Sequence, residues 1–395
     1  SLVDKFESTF ETYWDDAAFA PYDPDEDAEY LDALLAKNSG RASSTSLSIS
    51  HLDVRPYPHQ IEMLDDLAAE REVHGRHRNL LVAATGTGKT VVAALDYKRL
   101  RASDADQPTI LFVAHRKEIL EQSLRTYRDV LKDGAFGELF VGGHKPVRQR
   151  HVFASIQSLQ QPGELERWAP DHFDIVVIDE FHHAEAATYR KVLDYFTPRE
   201  LLGLTATPER ADGIDVAQAF FDGRIASELR LWDALSADLL VPFHYFGIAD
   251  GVDLSGLRFT RGGYNIDQLN TLYTGNDARA AKVLQALRDK VTDPSRMRAL
   301  GFCVSVEHAH YMAEVFRHAG LPSLALSGSS GSDERQEGLA KLRRGEIVCL
   351  FAVDLFNEGL DIPMIDTVLM LRPTQSATIF LQQLGRGLRR ADNKA

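Results

Sequence analysis

Cysteine is nearly missing from this sequence: Cys303 and Cys349 are the only two in 395 residues, each inside an apolar run. Two such thiols exclude a disulfide framework and a cysteine-rich zinc module, suit a reducing cytosol, and read as small buried hydrophobes. Long apolar runs are lacking too. No stretch reaches membrane-spanning length and no signal-peptide pattern follows Ser1, so the expectation is a cytoplasmic protein with no membrane partner. Positive charge is in deficit, with 44 Lys and Arg against 58 Asp and Glu and a net charge of −14. That excludes a protein that coats nucleic acid over its whole surface. The deficit is uneven, however. Residues 1–40 hold eleven Asp and Glu against Lys5 and Lys37, which leaves a local basic groove possible on the main body. The chain starts without Met and stops abruptly after Ala395, so it reads as a fragment, truncated at its C-terminus.

What is present is a globular composition, 44% hydrophobic and 26% charged, in a chain too long for one ordinary core. Residues 1–50 read as an acidic helical segment followed by a Ser-rich linker, "NSGRASSTSLSIS". From there, short β-branched runs alternate with amphipathic stretches. Strands are expected at 79–84, 109–114, 151–154, 174–178 and 201–204, with helices after Gly88, over 117–131 and over 187–196. A second series follows, with strands at 299–306, "SLAL", 347–353 and 367–372, and helices over 306–319, 333–344 and 376–390. Between the two series, 239–248 is strand-like and 277–291 helical. The fold class is therefore α/β: two lobes of parallel sheet covered by helices, the first over 51–230 and the second, with a connecting region, over 231–395.

"AATGTGKT" (83–90) follows an apolar strand and opens a helix. Closely spaced Gly86 and Gly88 let backbone N–H groups, with Thr85 and Thr87 between and beside them, turn toward one anion. Lys89 can reach β- and γ-phosphates, the Thr90 hydroxyl can ligate Mg²⁺, and the helix N-terminus adds partial positive charge. The strict pattern wants Gly at 83, where this chain has Ala83. Such a site needs a second Mg²⁺-directed carboxylate at the end of a neighbouring strand. "FDIVVIDE" (173–180) supplies Asp179 for the metal and Glu180 to polarise the attacking water. The same stretch continues as "FHHA", so Asp179, Glu180, His182 and His183 could instead be read as a zinc site, which predicts stoichiometric zinc in the purified protein.

Residues 179–182 read D-E-F-H, and here the chain resembles the superfamily 2 helicases and translocases of the DExH type, over about residues 55–390. That resemblance implies tandem RecA-like lobes with an ATP cleft between them. "RPYPHQ" (55–60) looks like the adenine-recognition element, pointing to Arg55 and Gln60. "VAHRKEIL" (113–120) and "ASIQSL" (154–159) look like nucleic-acid motifs, offering His115, Arg116 and Gln157, with Ser305 of "GFCVSVEHA" on the second lobe. "GLTATPER" (203–210) looks like the coupling motif, with Thr205 and Thr207. By the same resemblance Gly359 and Asp361 of "VDLFNEGLDIP" meet the nucleotide, while Arg386 and Arg389 of "QQLGRGLRR" reach the γ-phosphate. His182 becomes a relay toward Gln382 or the T-A-T strand, and His183 a bystander. Two arginines at i and i+3 on one helix would share a face and converge on one phosphoryl group.

"DEFHH" and "LTATPERADG" are similar to restriction-enzyme motor subunits, and 220–254 resembles bacterial defence helicases linked to a phospholipase-D-like nuclease domain. "KFESTFETYWDDAAFAPYDPDED" (5–27) is similar to the linker that joins nuclease and motor there. No H-x-K-x-D nuclease signature occurs, so cleavage would need a nuclease domain or subunit elsewhere. The reading is an ATP- and Mg²⁺-dependent motor on duplex DNA rather than single strands. Its alternatives are an RNA helicase and an ATP-gated clamp that recruits a nuclease without moving.

Overall fold

The computed structural model describes residues 54–103, 107–181, 187–208, 215–260, 263–353, 362, 364–374 and 376–390. The expected helices of residues 1–50 lie outside them.

In the first half, seven strands alternate with helices, five of them at the apolar runs that predicted strands. Helix α1 (Pro58–Glu72) precedes β1 (Arg78–Ala83), followed by α2 (Lys89–Ser103), β2 (Ile110–Ala114) and α3 (Lys117–Leu131). Then come β3 (Glu138–Phe140), β4 (His151–Ser155), α4 (Ile156–Leu159), β5 (Ile175–Ile178), α5 (Ala187–Tyr195), β6 (Glu200–Thr205), α6 (Val216–Phe220) and β7 (Ser227–Leu229). These strands form one sheet in the order β3-β4-β2-β5-β6-β1-β7, parallel at every pairing. Every residue of β2, β5 and β6 is buried, because helices cover both faces of a parallel sheet. Helix α3 turns Ile119, Leu120, Ser123, Leu124, Tyr127 and Val130 inward, one apolar stripe at helical spacing. All of these but Ser123 join Phe112 and Phe153 in one core layer, while Val113, Val176, Ile178 and Phe181 belong to the layer on the other face.

Helix α7 (Leu231–Ser236) leads into the connecting region. The strand expected over 239–248 does not form: Pro242 has no N–H to give to a ladder, and Tyr245, Phe246 and Ile248 are exposed along an irregular chain. A two-residue ribbon, β8 (Phe259–Thr260) with β9 (Gly263–Tyr264), is followed by α8 (Ile266–Tyr273) and α9 (Asp277–Lys290).

The second sheet comprises β10 (Ala299–Phe302), β11 (Ser323–Leu326), β12 (Cys349–Ala352) and β13 (Thr367–Met370), in the parallel order β11-β12-β10-β13. Helices α10 (Val306–His318), α11 (Ser332–Arg344) and α12 (Ala377–Arg386) flank it. Cys303 and Cys349 are fully buried thiols, pushed up from their ordinary pKa by desolvation. Two lobes of parallel sheet with flanking helices are the tandem RecA-like arrangement that the motif order implied. Arg335 on α11 also pairs with Glu118 in the first turn of α3 at 2.8 Å, an ion pair between the lobes.

Candidate nucleotide site between the lobes

Because the first sheet is parallel throughout, the carboxyl ends of its strands share one edge, where open α/β sheets bind ligands. The chain after β1 turns there through residues 84–88 into α2. Gly86 and Gly88 hold φ of +95° and +90°, values that a side chain would strain. Thr87 folds the turn by donating its hydroxyl to Ala84 O at 2.8 Å. Lys89 donates Nζ to Ala83 O at 2.9 Å. The Lys89 ammonium is enclosed, and desolvation lowers its pKa, opposed by Glu180 and Asp179 and reinforced by Arg386 and Arg389. Thr90 follows in the first turn of α2, partly exposed.

Gln60 is buried and clasps this loop. Its Nε2 donates to Thr87 O at 3.2 Å while its Oε1 accepts from Tyr57 N at 3.0 Å. A Cβ placed on Gly88 would stand 2.4 Å from that same Nε2, so the absent side chain is what lets Gln60 in. His59 approaches the Thr87 carbonyl too, at 3.1 Å. Sequence reasoning missed His59 although it lies within "RPYPHQ". Arg55 is exposed at the start of the same segment.

Asp179 and Glu180 leave the end of β5, both buried. Asp179 N donates to Val113 O at 3.0 Å, continuing the ladder with β2 by one residue, and Asp179 Oδ1 accepts from Glu180 N at 3.0 Å. Glu180 stands at φ +52°, a left-handed conformation costing on the order of 1–3 kcal/mol outside glycine. Phe181 anchors the turn, fully buried against Phe220 and Phe221 at ring distances of 5.4 and 4.9 Å.

One expectation needs correction. The acidic strand is not beside the phosphate-loop strand, because β6 lies between β5 and β1. That intervening strand ends in Thr205, whose hydroxyl donates to Thr207 O at 2.9 Å and accepts from Thr207 N at 3.2 Å. The T-A-T turn therefore stands between cradle and carboxylates. His182, His183, Gly359 and Asp361 lie outside the described residues. Among those described, no group of three or more His, Cys, Asp or Glu is arranged to hold a metal.

The second lobe reaches this edge through α12. Gly385 sits directly on the cradle: a Cβ there would come 2.9 Å from Thr85 Cβ. Leu384 and Leu388 share an apolar cluster with Ala84, Ala234 and Leu240. Gln382 and Arg386 are buried on α12. Arg389, however, is not on the helix. The helix ends at Arg386 with Gly387 as its cap, and Leu388 turns away to accept a hydrogen bond from Val241 N at 2.8 Å. Arg389 still arrives at the cradle by this irregular path, with its Cγ 3.1 Å from where a Gly86 Cβ would be. Burial lowers its pKa to about 10, which keeps it charged at neutral pH. Three cations and two carboxylates thus surround one glycine turn.

If Gly385 fixes the closed distance, Gly385→Ala forces the lobes apart. A misplacement of about 1 Å can cost on the order of 10²-fold in rate. Steady-state nucleotide turnover of this variant is expected to fall by about that factor while its thermal midpoint stays within a few degrees of wild type; unchanged turnover refutes the close-approach argument.

The nucleic-acid candidates are more dispersed. His115 and Arg116 follow β2 at the same sheet edge, partly buried, with Arg116 Nε donating to His115 Nε2 at 3.1 Å. Gln157 is exposed on α4 after β4. Ser305 caps α10 by accepting from His308 N at 3.0 Å and meets Asn270, so its hydroxyl has a structural task. A cavity of about 500 Å³, lined by Arg101, Phe136, Glu138, Arg150 and His151 among others, opens at the opposite, amino-terminal edge and contains none of these residues.

Known proteins repeat this pattern. Residues 53–210 match the family model of the type III restriction enzyme res subunit, and residues 281–391 match the helicase conserved C-terminal domain. A 51.5 kDa protein of Lactococcus phage isolate 7-9 is 26% identical over 78% of this chain and 62% of its own length. The type I restriction enzyme EcoAI endonuclease subunit of Escherichia coli is 28% identical over 80% of this chain and 42% of its own length. The chain thus spans less than two thirds of either relative. Among solved structures, the ATP-dependent type ISP restriction-modification enzyme LlaBIII bound to DNA shares the fold with a TM-score of 0.66 at 18% identity, over 87% of this chain and 27% of its own. With both lobe families matched in order on two parallel sheets, the chain belongs to the superfamily 2 helicases and resembles the motor subunits of restriction enzymes.

Proposed function

We propose that this chain is an ATP-dependent motor that moves on duplex DNA, working with a nuclease domain or subunit in a restriction or phage-defence system. The observation that carries it is the approach of Gly385, Arg386 and Arg389 from one lobe onto the Gly86–Lys89 turn of the other, opposite Asp179 and Glu180. Hydrolysis is then tied to closure of the lobes, and alternate closure and opening is how such a machine steps. The restriction-enzyme relatives, one of them ATP-dependent and DNA-bound by its own description, support the choice of fuel and track.

The residues fit ATP with Mg²⁺. Positive φ at Gly86 and Gly88 lets the turn aim successive backbone N–H groups at one anion, and the Thr90 hydroxyl and Asp179 carboxylate are oxygen donors of the kind Mg²⁺ takes. The metal, when bound, neutralises charge developing on the transferred phosphoryl group. Lys89 holds β- and γ-phosphate oxygens, Glu180 takes the proton of the attacking water, and Arg386 and Arg389 stabilise the departing charge. Thr205 and Thr207, standing between cradle and carboxylates, couple the site to the DNA track along His115, Arg116 and Gln157. Gln60 holds the cradle, and Arg55 lies at the adenine end.

Phosphate hydrolysis with and without duplex DNA, single strands and RNA tests the proposal, alongside displacement of a triplex-forming strand. Duplex-stimulated hydrolysis with ATP-dependent displacement is expected. Greater stimulation by RNA favours an RNA helicase, and stimulated hydrolysis without displacement favours a clamp. DNA affinity is expected to fall by about 10³ to 10⁵ between 50 and 200 mM salt if roughly 6–10 phosphates are held, which filter binding across a salt series measures.

A further inference from the structure

Helix α1 is fastened at two ends. Near its start, Gln60 and His59 hold the Thr87 carbonyl of the phosphate cradle. Eleven residues on, about 16 Å along the axis, Arg71 makes a clamp that joins three elements. Its Nη1 and Nη2 donate to both oxygens of Asp96 on α2 at 2.7 and 2.6 Å, and its Nε donates to Glu200 Oε2 at the start of β6 at 2.9 Å. His77 Nδ1 meets the other Glu200 oxygen at 2.6 Å. Asp96 and Glu200 are buried, and the Arg71 side chain keeps only 10% of its surface exposed.

The three joined elements are those that build the candidate site. Helix α2 begins with Lys89 and Thr90, β6 ends in the T-A-T turn, and α1 carries Gln60. Between its two fastenings α1 buries Met63, Leu64 and Leu67, and adds only single polar contacts, an exposed ion pair from Asp65 to Arg99 and a hydrogen bond that Asp66 accepts from Ser227. Apolar contacts keep a helix docked but leave its slide and rotation loosely set, whereas a planar guanidinium gripping one carboxylate with two bonds and a second with another fixes both.

We infer that Arg71 is a positioning residue for the nucleotide: clamped to Asp96 and Glu200, it sets the register of α1 and so holds Gln60 on the cradle in the geometry that favours an adenine nucleotide. This rests on the nucleotide reading proposed above. Arg71 touches no phosphate and acts only through Gln60 and α1. Its partners lie 25 and 129 residues away in the chain, so no local motif marks them.

Binding of ATP and GTP to the full chain, by competition against a fluorescent adenine nucleotide, provides the test. Arg71→Met and Gln60→Ala are each expected to weaken ATP about tenfold and GTP about twofold or less, and the double variant is expected to be no weaker than either single, as for residues acting through one contact. KM for ATP should rise more than kcat falls. Arg71→Lys, which keeps the charge without the fork, should lie between and serves if Arg71→Met does not fold. Leu165→Ala, a cavity in the core layer on the far face of the sheet, should lower thermal stability and leave both affinities unchanged. Wild-type ATP affinity in the Arg71 variants, additive losses in the double variant, or an equal loss of affinity in Leu165→Ala would each overturn the inference. Failure of the wild-type chain to bind any nucleotide would overturn the nucleotide reading itself, an outcome distinct from those three.

Discussion

Glu180→Gln is expected to bind ATP as wild type does and to hydrolyse it about 10² to 10⁴ times more slowly, the contribution of a placed general base. The amide keeps the shape of the carboxylate, so the φ of +52° and the bond from Glu180 N to Asp179 Oδ1 survive the change. Phe181 remains seated between Phe220 and Phe221, and the turn is not released. What disappears is the proton acceptor, together with one of the two carboxylates that support the charged form of Lys89. Asp179 still supports it, so phosphate binding should persist. Equilibrium nucleotide binding and single-turnover phosphate release, both at saturating duplex DNA, separate the two effects. Turnover within tenfold of wild type would show that Glu180 is not the base.

The strained backbone at Glu180 also bears on where sequence reasoning succeeded. The apolar run 175–178 is legible because a strand covered on both faces must be apolar throughout, and the acidic residues stand out at its end. The glycine cradle is legible for a similar local reason, since positive φ at Gly86 and Gly88 leaves a residue-type signature. Both strand series appear within a few residues of their expected bounds. What the chain order could not carry is lateral strand order: β6 inserts between β5 and β1, so neighbours in function are not neighbours in the sheet. The short edge strands β3 and β7, three residues each, were too brief for a periodicity to form. "LLVPFHYFGI" has strand-like composition, but composition does not supply a partner, and Pro242 removes one donor. The Arg71 clamp was invisible for a different reason, being a contact among residues that share only the fold.

The end of α12 differs from what residue spacing predicts, because the helix stops at Arg386. "QQLGRGLRR" contains two glycines, and they do different jobs. Gly385 stays helical and permits contact with Thr85, whereas Gly387 caps the helix and releases Leu388 and Arg389 into an irregular path. Spacing alone put Arg386 and Arg389 on one helical face; they meet at the cradle by two separate routes.

That difference shapes the expected outcome at the two arginines. Arg386 is the last residue of a helix packed on the cradle, 3% exposed, and carried by Leu384 and Leu388 in the cluster that includes Ala84. Its position is therefore fixed by the closed lobes, as the stabilisation of a transition state requires. Arg386→Ala is expected to lower kcat by about 10³ to 10⁵, the usual worth of an arginine finger, with ATP affinity changed severalfold at most. Lysine at 386 should restore little, because an ammonium cannot present the planar fork to two phosphoryl oxygens at once. Arg389 runs past Gly86, its Cγ 3.1 Å from where a Gly86 Cβ would be, so in the proposed mechanism its guanidinium would meet the phosphates from the cradle side. Its removal should therefore raise KM as well as lower kcat. Nucleotide titration of both single variants and the double reads the split, with DNA held saturating so that lobe closure is not limiting. If both arginines serve the same phosphoryl group, the double variant is slower than Arg386→Ala by clearly less than the factor that Arg389→Ala costs alone. Full activity in Arg386→Ala would remove the coupling between lobe closure and hydrolysis, and with it the reason to regard this chain as a motor rather than a nucleotide-binding scaffold.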